Sequence, residues 1–149
     1  MPLPGPGILR PVIAVRRGMT EPIRTPVGMM WIDEAGLLRH RLDEGITVKA
    51  EHVAGIRDAV QEVSKGVPIR AVVDISGVQF ADRLARDAIA TTLDGSNEVA
   101  TAVIVGSPAS RALGSLFLKL SRPARPVKLF LDEEEAANWA ATVGSGGNP

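Results

Sequence analysis

The chain of 149 residues contains no cysteine. That absence removes disulfides, thiolate metal sites and cysteine nucleophiles together. Histidine is nearly as scarce, at 2, too few to build a zinc site from imidazoles. Tyrosine is missing and aromatic side chains make up 3% of the residues, so rings cannot line a surface for stacking bases or sugars. Neither sign of charge is in excess: 17 Lys and Arg face 17 Asp and Glu. No long-range field therefore draws the chain to nucleic acid or to an anionic membrane. No run of roughly 18 uncharged apolar residues occurs, and no transmembrane helix is expected. What remains, 45% hydrophobic and 23% charged residues, is the balance of a soluble globular protein with one core.

Organisation along the chain follows from proline, glycine and apolar spacing. Residues 1–28 hold Pro2, Pro4, Pro6, Pro11, Pro22 and Pro26, a density that prevents a regular helix or central strand. They are read as a flexible basic arm, with Met19 or Met29 as alternative translation starts. The apolar stretch Pro11 to Val15 is too short for a secretory leader, and Arg16 and Arg17 follow it. The expected location is cytoplasmic. Residues 29–141 are expected to form one domain, and residues 142–149 a disordered tail.

Within the domain, Met29–Asp33 and Leu37–Leu42 read as a β-hairpin around Glu34-Ala-Gly36. Thr47 is expected to cap a helix running to Ser64, with Val53, Ile56, Val60 and Val63 on its apolar stripe. Gly66 and Pro68 stop it. Ile69–Ile75, Thr101–Val105 and Pro126–Leu131 are short β-branched or apolar runs, as buried parallel strands require. Between them, Asp82 caps a helix to about Leu93 whose inner face is read as Leu84, Ala85, Ala88, Ile89 and Thr92. Ser107-Pro108 opens a second helix carrying Ala112, Leu113, Leu116, Phe117 and Leu120. Asp132 with Glu135 opens a last helix holding Ala136, Trp139 and Ala140. The order ββαβαβαβα predicts an α/β fold, a mainly parallel sheet with an N-terminal β-hairpin.

Ligands of such sheets gather at the carboxyl ends of the strands, where helix N-termini converge. Two of the three helices there start on aspartate. The third opens Ser107-Pro-Ala-Ser110-Arg111 without an acid, and an anion is better accommodated at that turn. Lys119, Arg122, Arg125 and Lys128 form a basic cluster, read as cations favourable at a helix C-terminus or as a partner surface. His40 is expected to point outward from its strand, and His52 to sit beside Val53. Neither falls in a hydrolase pattern, and no phosphate-cradling glycine motif follows a strand. Asp74 is expected to accept N–H groups of the Ser76-Gly77 turn.

The stretch Val73-Asp-Ile-Ser-Gly-Val-Gln-Phe-Ala-Asp82 resembles the signature of SpoIIAA-like (STAS) domains. Ser107 to Phe117 and Pro126 to Trp139 are similar to the related STAS/SEC14-like domains of unassigned function. The resemblance covers about residues 28–140. It implies a SpoIIAA-like β/α superhelix, a non-enzymatic regulatory or ligand-binding role and no cofactor. In the phospho-switched antagonists of this group an Asp-Ser-Ser-Gly motif carries the switch. Its serines fall here on Arg83 and Leu84 and its glycine on Ala85, so no hydroxyl remains to be phosphorylated, and a positive charge stands in its place. The ligand-binding residues expected are Arg83, Arg86, Ser107, Ser110 and Arg111, gathered at one rim to hold a small anion, a lipid headgroup or a protein partner. The alternative is a purely protein-interacting, homodimerising module that uses Met29, Trp31 and Leu38.

Overall fold

Pro22 and Pro26 bracket a three-residue strand, β1 (Ile23–Thr25), at the edge of the sheet in the computed structural model, which describes residues 19–94, 97–119 and 125–143. Residues 23–25 and Gly28, expected within the arm, therefore belong to the sheet. An edge strand tolerates flanking prolines because one of its sides needs no partner. Residues 142 and 143, expected in the tail, close the last helix and its cap instead, and the expectations for residues 1–18 and 144–149 fall outside the described residues.

From β1 the chain runs through β2 (Gly28–Ile32), β3 (Leu38–Leu42), β4 (Ile46–Val48) and α1 (Ala50–Ser64) to β5 (Ile69–Asp74). There follow β6 (Val78–Ala81), α2 (Arg83–Asp94), β7 (Glu98–Ile104), α3 (Pro108–Lys119), β8 (Val127–Phe130) and α4 (Glu133–Thr142). Six strands form one sheet in the order β1-β2-β3-β5-β7-β8. The first two pairings are antiparallel and the last three parallel. β4 and β6 pair with each other in a separate two-stranded ribbon. The expected element order thus lacks β1, β4 and β6, all of four residues or fewer. Strands so short carry almost no periodic signal, and β4 finds its partner only across α1.

The hairpin closes as expected. Gly36 adopts φ +84, and the Asp33 carboxylate accepts the N–H groups of Ala35 and Leu37 at 2.9 Å. Gly28 is required for a different reason: a Cβ there would stand 2.0 Å from the carbonyl oxygen of Arg41 on the paired strand.

Helices cover both faces. On one, Met30, Ile32, Leu38 and Ala71 of the sheet pack against Ala59, Val60 and Val63 of α1. The same side continues into a core of Ile75, Val103 and Val127 with Ala85 of α2 and Leu113 of α3. On the other, Val72, Ala102 and Ile104 bury Ala136 and Ala140 of α4. Arg70 fastens that helix by donating to the carbonyls of Ala140 and Val143 at 2.8 and 2.7 Å, a cation at the negative end of the helix dipole.

Four local expectations are corrected. Thr47 lies in β4, and the residue preceding α1 is Lys49, whose N–H donates to His52 Nδ1 at 3.0 Å. Leu84 is not on the inner face of its helix, being 69% exposed, and Ala112 is exposed as well. His40 points inward: it is 5% exposed, because β3 directs Leu38, His40 and Leu42 to the face that α1 covers. The side chains of Thr92 and Phe117 and the whole of Leu120 lie outside the described residues.

Candidate functional site at the carboxyl ends of the strands

The turns after β5 and β7 are joined through their backbones. Ile75 N–H donates to Ile104 O, and Val105 N–H to Phe130 O, each at 2.9 Å. Asp74 holds the first turn as expected, accepting from Ser76 N–H at 3.0 Å and from the Ser76 hydroxyl at 2.6 Å. Gly106 lies against that turn, so close that a Cβ would come 3.2 Å from Ser76 Cβ. The Ser107 hydroxyl reaches the Val78 carbonyl at 3.4 Å. The start of α3 therefore sits against β6, the strand that leads into Arg83.

At α3 the two serines cap the helix between themselves. Ser110 Oγ accepts from Gly106 N–H at 2.8 Å and from Ser107 N–H at 2.7 Å, and donates to Ser107 O at 2.9 Å. Ser107 Oγ in turn accepts from Ser110 N–H at 3.0 Å. Ser110 is 0% exposed. This corrects its expected role: its hydroxyl closes the turn from inside, and the two turn N–H groups expected for an anion are occupied by it. Ser107 is half-buried with its hydroxyl engaged.

The charged members lie farther out. Arg83 and Arg111 are exposed, and Arg86 is half-buried with Nη1 donating to Ala81 O at 3.0 Å. Asp82 caps α2 by accepting Ala85 N–H at 2.7 Å. On either side of Arg83 along the chain, Phe80 and Leu84 are 53% and 69% exposed.

The hairpin surface divides. Leu38, expected at a partner surface, is 0% exposed and belongs to the core. Met29 and Trp31 are half-buried on the opposite face, where the Arg41 guanidinium stands 5.8 Å from the Trp31 ring. Beside them Arg39 bonds Asp33 at 2.8 Å and Glu133 at 2.9 Å, tying β3 to the start of α4.

The basic cluster also divides. Arg125 is not a solvated cation: it is 9% exposed, 3.3 Å from Glu98 and 2.9 Å from the Thr101 hydroxyl. Lys119 and Lys128 are exposed, and Arg122 lies outside the described residues. His40 Nε2 lies 2.9 Å from Thr25 Oγ. Burial pushes its pKa down to about 4, against the pull of Asp43 and with a smaller push from Arg24. The hydrogen bond from Arg24 holds the Asp43 carboxyl below its ordinary value. Among the described residues no group of three or more His, Asp or Glu is placed to hold a metal ion, and no helix is long and apolar enough to cross a membrane.

Sequence reasoning missed the pairs Thr25–His40, Arg39–Glu133 and Glu98–Arg125. Their members stand 15, 94 and 27 residues apart, and no local spacing announces them. Phe80 lay inside a quoted motif, but nothing in the sequence marked it as exposed.

This architecture is the SpoIIAA-like fold. It is shared with a crystal structure of a DUF3478-family protein from Shewanella loihica PV-4, described as having a SpoIIAA-like fold, at a TM-score of 0.54 and 15% identity, covering 83% of this chain and 93% of the other. The chain itself belongs to the family described as Domain of unknown function (DUF7793), whose model matches residues 30–143. No curated protein matches it.

Proposed function

We propose that the domain is a non-catalytic, cytoplasmic regulatory module that works by binding an anionic group at the carboxyl-end rim. The observation that carries this reading is the β6–α2 junction, where Phe80, Arg83 and Leu84, within five residues of chain, are all exposed. Exposed apolar side chains in contiguous surface mark interaction sites. An arginine among them supplies charge and a fork of donors for a carboxylate or phosphate. Arg86 and Arg111 are the further cations of the reading, and Ser107 holds the α3 turn against β6. The group bound is carried by a small molecule, a lipid headgroup or a protein partner. Without a hydroxyl at the switch position, regulation runs through occupancy of the rim and not through its phosphorylation.

A thermal melt in inorganic phosphate or sulfate tests this. Anion at ten times its Kd should raise the wild-type Tm by about 3 °C. Arg111→Ala and Arg83→Ala should melt at the wild-type temperature without anion and lose the rise. A wild-type Tm that responds to no anion contradicts the reading.

The second reading is self-association through the hairpin face, favoured by the half-buried Met29 and Trp31 beside Arg41. Light scattering at high concentration decides it, since a monomer removes a homodimer.

A further inference from the structure

Beneath the sheet face that carries His40 lies a cavity of about 90 Å³. Met30 and Leu38 of the sheet bound it, with Val53 and Val60 of α1, Ile89 of α2 and Leu113 of α3. The sheet and three helices meet around a void. Close-packed interiors leave few voids larger than a water molecule, and an unfilled apolar void lowers stability in proportion to its volume. This one is about three times the share of volume that a water takes in the liquid.

Water is a poor occupant, because a buried water needs about two to four polar partners and His40 Nε2, the Thr101 hydroxyl and the Glu98 carboxylate on this wall are already engaged. His40 Nε2 lies 2.9 Å from Thr25 Oγ. The Thr101 hydroxyl donates to Glu98 at 2.8 Å and accepts from Arg125 at 2.9 Å. Glu98, the carboxylate among the described wall residues, is ion-paired with Arg125 at 3.3 Å. A charged ligand would face no free counter-charge among the described wall residues.

We propose that this cavity is a binding site for a small uncharged apolar molecule. By comparison with an engineered cavity of ~150 Å³ that accepts benzene, the occupant has roughly four carbon atoms. The site is separate from the rim, since Arg83, Arg86 and Arg111 do not line it. It nevertheless touches α2 and α3 through Ile89 and Leu113. Filling it secures against the sheet the two helices whose first turns carry Arg83 and Arg111.

Methyl NMR of the full chain under xenon pressure tests the site. Saturable shifts are expected at the methyls of Val60, Ile89 and Leu113, with isobutane producing the same pattern at half-saturation of about 1 mM or below. Butanoate, similar in size but charged, should leave these methyls unmoved. Val60→Ile and Val53→Ile each place one more methylene in the void. Each should raise the Tm and cut the xenon-induced shifts at least twofold; if one fails to fold, the other carries the test. Non-saturable shifts that extend to the exposed Val67, unchanged shifts in a folded filled variant, a butanoate response or water signals inside the cavity would each overturn the proposal.

Discussion

His40 shows how one buried side chain makes stability depend on pH. Its folded pKa of about 4 lies below the ordinary value of 6.5 because burial disfavours the imidazolium. Between those values the unfolded chain holds a proton that the folded chain does not, so stability rises with pH across that window. The contribution is complete above about pH 6.5 and is lost as pH falls through about 4, amounting to about 3 kcal/mol. His40→Gln retains a hydrogen-bonding group toward Thr25 and removes the titration. Urea unfolding at pH 4, 5, 6 and 7 should give a flatter acid limb for this variant; an unchanged limb would assign the acid sensitivity elsewhere. Gly28 is constrained just as locally. Because a Cβ would collide with the Arg41 carbonyl at 2.0 Å, Gly28→Ala should lower stability by at least about 2 kcal/mol, read from the same unfolding curves.

At the scale of elements, the most legible features were those whose causes lie within a few residues. Asp82 and Asp132 cap α2 and α4 as expected, each accepting an N–H three residues on, at 2.7 and 2.9 Å. Asp132→Ala should cost about 1 kcal/mol of unfolding free energy, and a change below a few tenths would mean that the cap contributes little. The hairpin and the central strands were legible for the same reason, since β-branched runs and turn residues are local signals. Legibility failed where the deciding partner is distant. Thr47 looked like a cap because β4 has no signal apart from its pairing with β6. Leu84 looked internal because it is apolar. Yet the buried side of α2 is fixed by what packs on it, and of the neighbours Leu84 and Ala85, both expected inside, only Ala85 is buried, at 0% exposure. His40 was misread because alternation along a strand does not say which face a helix will cover.

Across the whole molecule, pairs distant in sequence hold the sheet together and escape sequence reading altogether. Glu98 and Arg125 form a buried pair, with side chains 10% and 11% exposed. Removing one member strands the other in a poorly solvated site, whereas replacing both by apolar groups does not. Glu98→Gln should therefore lose about 3 kcal/mol, and the double variant Glu98→Leu, Arg125→Met should recover most of it in a urea titration. Of the expected site, the convergence of the carboxyl-end turns was legible from strand and helix order alone. The inward turn of Ser110 was not, because Ser-x-x-Ser describes equally a ligand-facing turn and one whose hydroxyls cap each other.

The rim is tested most directly by titrating the isotope-labelled wild-type chain with inorganic phosphate and following every backbone amide. Binding at the rim predicts saturable shifts confined to residues 79–86 and 106–111, and their loss in Arg111→Ala. Shifts that never saturate, or that cluster at the opposite end of the sheet around Glu98 and Arg125, would contradict it.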